Sequence, residues 1–146
     1  MQIEEPRPKP NILWSMLNMH CPRCRRGDMF KDKNAYKKFT LRHIFDMYSE
    51  CKVCRQVYNL EPGFWYGTGY VSYGLAIFIS GISFIAWWIF IGISINDNRV
   101  VYWLIFNTVL ILVLQPWLMR ISRVLYLYLF VKYNENYEQE DPVVFS

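Results

Sequence analysis

Four cysteines carry the clearest chemistry in this sequence. They form two Cys-x-x-Cys pairs, Cys21 with Cys24 and Cys51 with Cys54, and the chain has no other cysteine. Two residues between paired cysteines allow both thiolates of one turn to face the same ion, while backbone N–H groups of the turn hydrogen-bond the sulfurs. Two such turns supply the tetrahedral Cys₄ set that Zn²⁺ prefers. The spacing therefore predicts a zinc site with all four cysteines as ligands.

Other uses of the same cysteines stay open at this point. A Cys₄ iron site has the same spacing, two disulfides would require an oxidising compartment, and a dithiol redox centre would use a single pair. Zinc is the favoured interpretation. His20 and His43 are additional candidate ligands, but four cysteines already complete a tetrahedron. Both histidines are therefore interpreted as surface or packing residues.

The segment that holds the cysteines is polar, basic and small. Gly27, three residues after Cys24, suits the tight turn that follows a metal-binding knuckle, whereas the second knuckle has Arg55 where glycine is common. Thr40 is a candidate cap for a short helix with one apolar stripe, formed by Leu41, Ile44, Phe45 and Tyr48. Because so small a module cannot fold by burial alone, bound metal must contribute to its folding.

Two long uncharged stretches follow the cysteine module. Residues 62–96 contain no Asp, Glu, Lys or Arg, and neither do residues 100–119. About 20 apolar residues are enough for a helix to cross the ~30 Å hydrocarbon core of a bilayer. The first stretch lies too far from the N-terminus for a signal peptide. We therefore predict two transmembrane helices, joined by a polar loop over residues 97–99, with the second helix extending to residue 131.

Small and polar side chains within these stretches indicate how the two helices meet. Four small residues share one narrow face of the first helix, namely Ser72, Ala76, Ser80 and Ser83. Small side chains allow close helix–helix approach, and Asn107 near the middle of the second helix is expected to hydrogen-bond the first. Pro116 should bend the second helix near its exit.

Positive charge predicts the orientation of the chain. Residues 1–61 contain 12 Lys and Arg, the loop contains one, and the segment from residue 120 onward contains three. By the positive-inside rule both termini are cytoplasmic and the loop is external. The cysteines then lie in a reducing compartment, which favours zinc over disulfides. The two ends, residues 1–10 and the acidic residues 132–146, are expected to be flexible tails.

The junction between the cysteine module and the first long helix is short and rich in aromatic residues. Six residues separate Cys54 from Glu61, and the aromatic side chains that follow are typical of a membrane interface. We expect the module to pack on the end of the second helix, burying some of Val124, Leu125 and Tyr128. The other interpretation, that this helix end lies among lipid headgroups, stays open.

The motifs CPRCRRGDMF, a second Cys-x-x-Cys, and YxxEPGFWYGTGYVSY resemble an uncharacterised bacterial family of small membrane proteins, the domain of unknown function nine-eighty-three. The resemblance covers about residues 12–131. It implies a zinc-ribbon-like head over residues 11–61, a two-helix membrane hairpin and a location in the bacterial inner membrane. It implies no established activity, although some members are encoded near haem–copper oxidase assembly genes.

The functional classes open to this chain are few. Its 146 residues leave no room for a large catalytic domain, and the sequence shows no catalytic set of residues. The basic charge of the head is better explained by membrane orientation than by nucleic-acid binding. We therefore favour a non-enzymatic membrane protein whose head docks an unknown membrane or cytoplasmic protein. The alternative is a factor that handles metal or thiols during respiratory oxidase assembly.

Overall fold

The structure is a computed structural model that describes residues 8–37 and 40–144, without the side chain of Leu41. The predicted tail over residues 1–10 lies mostly outside the described residues. The described part is mostly helical and contains isolated β-bridges but no strand. Its elements are α1 (Ile12–Leu17), α2 (Leu41–Ile44), a 3₁₀ helix (Phe64–Gly67), α3 (Thr68–Phe90) and α4 (Arg99–Phe130).

Helices α3 and α4 are long, apolar and packed against each other in antiparallel directions. They contain 23 and 32 residues, so they measure about 35 Å and 48 Å at 1.5 Å per residue. Both are long and apolar enough to cross a membrane. The connection between them covers residues 91–98 and is longer than the predicted loop, because α3 already ends at Phe90. Gly92 in this connection has a φ of 79°, which glycine adopts without strain.

The predicted contact face of the helical pair is confirmed. Ser72 Oγ donates to Ser122 Oγ at 2.8 Å near one end of the pair. Near the other end, Ser83 Oγ donates to Asn107 Oδ1 at 2.9 Å and Asn107 Nδ2 donates to Ser80 Oγ at 3.1 Å. The prediction that Asn107 bonds to the first long helix is therefore also confirmed.

The head, residues 11–61, shares one hydrophobic core with the C-terminal part of α4. Its buried members come from the head, the 3₁₀ helix, α4 and the C-terminal segment, and include Met29, Phe30, Tyr58, Leu60, Phe64, Val124, Leu127 and Val131. Val124 is fully buried, and Tyr128 Oη donates to the carbonyl oxygen of His20 at 3.1 Å. The prediction that the head packs on the end of the second helix is confirmed.

Two arginines of α4 fasten the head to this helix. Arg120 is fully buried, and its guanidinium donates to the carbonyl oxygens of Asp32, His43 and Ile44 at 2.7–3.2 Å. Arg123 lies over the ring of Phe45, with its Cζ 4.0 Å from the ring centroid. Both cations therefore bridge α4 to the segment between the two cysteine pairs.

The C-terminal segment also lies against the head, although its acidic sequence predicts a flexible tail. Tyr137 is buried in the shared core, and Asn134 N donates to the carbonyl oxygen of Arg23 at 3.0 Å. The net negative charge of this segment suggested solvation. Its attachment includes backbone atoms, Tyr137 in the core and the ring of Tyr133 against Arg25, contacts that charge patterning does not reveal.

Candidate metal centre

The four cysteines converge on one point in the head, as their spacing predicts. All four are among the described residues, are free thiols and are buried, and their Sγ atoms all lie within 4.8 Å of one another. Cys21 Sγ is 3.7 Å from Cys54 Sγ, and Cys24 Sγ is 3.7 Å from Cys51 Sγ. A tetrahedron with Zn–S bonds of about 2.3 Å has sulfur–sulfur edges of about 3.8 Å. The cluster therefore has the size that a tetrahedral metal ion requires.

Each ligand pair is held by a turn of the same shape. Arg25 N donates to the carbonyl oxygen of Cys21 at 2.7 Å, and Arg55 N donates to that of Cys51 at 2.9 Å. Arg25 and Arg55 both have positive φ, at 54° and 55°. Arg55 was marked in the sequence as a departure from glycine, but the first turn uses an arginine in the same conformation. A non-glycine residue with positive φ is uncommon, so both turns need the rest of the site to hold them.

Gly27 has a different role from the one that the sequence predicts. Its φ is not in the left-handed region, so the turn does not require glycine there. A Cβ at this position would instead lie 2.3 Å from Cys51 Sγ. The carbonyl oxygen of Gly27 accepts from Cys21 N at 2.8 Å. Gly27 thus allows the first turn to approach a sulfur of the second turn closely.

Hydrogen bonds within the cluster separate the acidities of the thiols. The hydrogen bond from Cys21 lowers the pKa of Cys24 to about 7 and also lowers the pKa of Cys51. The hydrogen bond with Cys24, together with burial, raises the pKa of Cys21. Two sulfurs therefore favour the thiolate form, which is the form that ligates a metal.

The two histidines do not join the cluster. The Nδ1 atom of His20 is 3.1 Å from a carboxylate oxygen of Asp28, and its ring stacks on Trp14. The carbonyl oxygen of His43 accepts from Arg120. Among the described residues, the group suited to a metal ion consists of the four cysteines. The interpretation of both histidines as packing residues agrees with these contacts.

Sequence reasoning missed two polar residues beside the cysteines. Arg23 lies between the ligands of the first pair and is 2% exposed, and Gln56 lies two residues after the second pair and is fully buried. Arg23 donates to the carbonyl oxygen of Cys54 at 3.3 Å, so it connects the two turns. Their nearness to the cysteines is the one signal that singles them out in the sequence.

Comparisons of the chain with protein-family models, with curated proteins and with solved structures find no match.

Proposed function

We propose that this chain is a non-enzymatic integral membrane protein, with a zinc-stabilised cytoplasmic head that docks a protein partner. Membrane insertion is supported by the outward faces of α3 and α4. Large apolar side chains there are half to three-quarters exposed, for example Phe78, Ile89, Leu112 and Val113. Each square ångström of apolar surface left in water costs roughly 25 cal/mol. The surrounding bilayer would remove this cost, and the helical backbone satisfies its own polar groups.

Aromatic side chains support a membrane boundary at the head end of the helical pair. Tyr66 in the 3₁₀ helix is 86% exposed, and Tyr70 and Tyr73 in the first two turns of α3 are 83% and 69% exposed. Tyrosine is enriched at membrane–water interfaces because its ring is apolar and its hydroxyl is polar. The distribution of Lys and Arg then gives a hairpin with both termini in the cytoplasm. The resemblance to the bacterial family of small zinc-ribbon membrane proteins supports the bacterial inner membrane as its location.

Zinc is the metal that we propose for the cysteine cluster. Four buried thiols in a cluster of the size that a tetrahedral ion requires suit a structural zinc site, which has no open ligand position. When bound, zinc would link the two turns covalently and so contribute to the folding of the head. The head then resembles a zinc ribbon in its paired knuckles, with β-bridges in place of strands.

The observation that carries the proposed docking role is an apolar patch on α1. This short helix exposes Ile12, Leu13, Trp14 and Leu17, at 44–67% of their surface. Its N-cap, Asn11, accepts from Leu13 N at 3.2 Å, and Ser15 is fully buried. The helix is therefore held to the head with its apolar side outward. Grouped apolar side chains on a structured surface are typical of a site that binds a protein or a membrane surface.

The alternative function, metal or thiol handling in oxidase assembly, is less well supported. A carrier must release its ion, and all four sulfurs here are buried, at 5% exposure or less. Burial on this scale favours a retained metal. The alternative depends on the genomic context of the family that the chain resembles.

Two measurements test the proposal. Elemental analysis of the purified protein should find one zinc per chain, and Cys51→Ser should abolish it. Iron in place of zinc would overturn the metal assignment.

Affinity capture in mild detergent, followed by mass spectrometry, should recover a partner with the native chain but not with Leu13→Asp. The matched control is Val144→Asp, which changes an exposed apolar residue outside α1 and outside both knuckles. Equal recovery with both variants would contradict docking through α1.

A further inference from the structure

Residues 134–143 form a C-terminal strap. The strap is attached to the head through Arg23 and Gln56, the two polar residues beside the metal ligands. The guanidinium of Arg23 donates to the carbonyl oxygens of Glu140 at 2.5 Å and Asp141 at 2.9 Å. The carbonyl oxygen of Arg23 accepts from Asn134 N at 3.0 Å. The first knuckle therefore binds both ends of a stretch of the strap.

Gln56 attaches the strap to the second knuckle. Its Nε2 donates to the carbonyl oxygen of Val143 at 2.7 Å, and its Oε1 accepts from Val143 N at 3.0 Å. One side-chain amide thus binds both backbone groups of one strap residue, as a neighbouring β-strand would. Tyr137, in the middle of the strap, is buried in the same core cluster as the four cysteines. The strap is therefore held at three places around the metal centre.

The positions of both anchors depend on the knuckles. The carbonyl oxygen of Gln56 accepts from Cys51 N at 2.9 Å, so the second turn fixes Gln56. Arg23 lies between Cys21 and Cys24 and reaches across to the carbonyl oxygen of Cys54. Its buried guanidinium has carbonyl oxygens as its hydrogen-bond partners, which compensate a charge only partly. A zinc ion with four thiolates has a net charge of −2, which would stabilise this cation in place.

From these contacts we propose that the C-terminal strap is coupled to the metal. Bound metal orders the two knuckles and so holds the strap, and the attached strap slows the exit of the metal. Binding free energies are linked reciprocally, so a metal that favours the attached strap is itself bound more tightly when the strap is attached, and we expect this difference to appear in its release rate. This inference rests on the proposed metal site, and it adds a means of control. A partner that displaced the strap would convert a retained metal into an exchangeable one.

The test uses the full-length protein in detergent, loaded with zinc, and a chromogenic chelator that reports zinc release. Gln56→Ala and a chain that ends at Pro142 each remove the Val143 clamp. We expect zinc release about tenfold faster in both, the scale of two hydrogen bonds to a buried amide. The chain ending at Pro142 leaves every head residue unchanged, which separates strap loss from head damage. The matched control, Gln139→Ala, removes an exposed amide of the strap and should release zinc at the native rate.

Hydrogen exchange supplies a second readout. Backbone amides of residues 134–143 should exchange faster after the chelator has removed the zinc, while amides in the middle of α3 should not change. The coupling would be overturned if both clamp variants released zinc at the native rate, or if the exchange rate of the strap amides did not change after zinc removal. Either result would leave the metal site intact. Purified protein that contains no metal would overturn the metal site itself, and the strap proposal with it.

Discussion

The head and the helical pair satisfy their polar groups in opposite ways. The head, together with the end of α4 on which it packs, buries charged and amide side chains, Arg23 and Gln56 of the head and Arg120 of α4, and pairs them almost entirely with backbone carbonyl and N–H groups. The helical pair buries few side chains and leaves most of its large apolar residues outward. The head is ordered by specific contacts between side chains and backbone groups. The helical pair is ordered by the regular hydrogen bonds of its helices and by the medium around its apolar side chains.

The two regions are therefore sensitive to single substitutions to different degrees. A head with little regular secondary structure has few repeated contacts, so loss of one ligand or one buried cation removes a large share of what holds it. The helical pair has many small, similar contacts, and single substitutions there should have small effects. Four substitutions test this contrast.

Gly27→Ala should abolish metal binding. The new Cβ would lie 2.3 Å from Cys51 Sγ, closer than any real contact, and both partners are fixed by the knuckle backbone. We expect zinc content per chain to fall by about tenfold or more, because a displaced ligand breaks the tetrahedron. Elemental analysis measures it. Gly74→Ala, which meets no atom within 4 Å, is the control, and normal zinc content in Gly27→Ala would refute the close-approach role.

Arg120→Met should destabilise the head–helix contact by about 3–4 kcal/mol. The substitution keeps a long apolar stem but removes the guanidinium donor from the carbonyl oxygens of Asp32, His43 and Ile44, of which that of His43 keeps a second donor, Asp46 N at 3.3 Å. Denaturant unfolding in micelles, followed by tryptophan fluorescence, measures the change. Arg42→Met, at an exposed arginine of α2, should change stability by less than about 0.5 kcal/mol. Equal effects of the two variants would mean that Arg120 does not fasten the head.

Gly67→Ala should cost about 1–3 kcal/mol by overpacking. Here the added Cβ would lie 2.2 Å from Tyr126 Oη, where the 3₁₀ helix crosses α4. The same unfolding assay applies. Gly69→Ala meets nothing within 4 Å and should instead stabilise α3 by up to about 1 kcal/mol, because alanine favours helix. A stabilising effect at both positions would contradict the close crossing.

Asn107→Leu should have the smallest effect, lowering the stability of the helical pair by about 0.6 kcal/mol. It removes the two hydrogen bonds to Ser80 and Ser83, and contacts of this kind between helices in lipid are weak on average. Steric trapping of the helical pair in bilayers measures the change. Thr108→Val, whose hydroxyl bonds to Leu104 within its own helix, is the control. If Asn107→Leu lowered the stability of the helical pair by more than about 2 kcal/mol, the Asn107 hydrogen bonds would be a major determinant of helix pairing and not a minor one.

The sequence predicted well wherever a feature repeats or is defined by spacing. The cysteine spacing predicted the cluster, the uncharged stretches predicted α3 and α4, and small-residue periodicity with Asn107 predicted their contact face. It predicted poorly where a side chain bonds to a distant backbone group. Nothing in the identity of Val143 indicates that Gln56 clamps it, because backbone atoms are the same in every residue. The sequence predicts that Gly27 serves a turn, whereas the structure requires glycine there for its close approach to Cys51 Sγ.

The order of synthesis gives the shared core a further consequence. The four cysteines leave the ribosome early, whereas Val124, Leu127, Val131 and Tyr137, which complete their core, leave later. Domains usually fold as their chain emerges, but this head must wait until both long helices have been made. Completion of the core therefore requires that the end of α4 has reached the head. A chain in which the second long helix fails to pair would keep an open, unfinished head, ready for recognition by proteases.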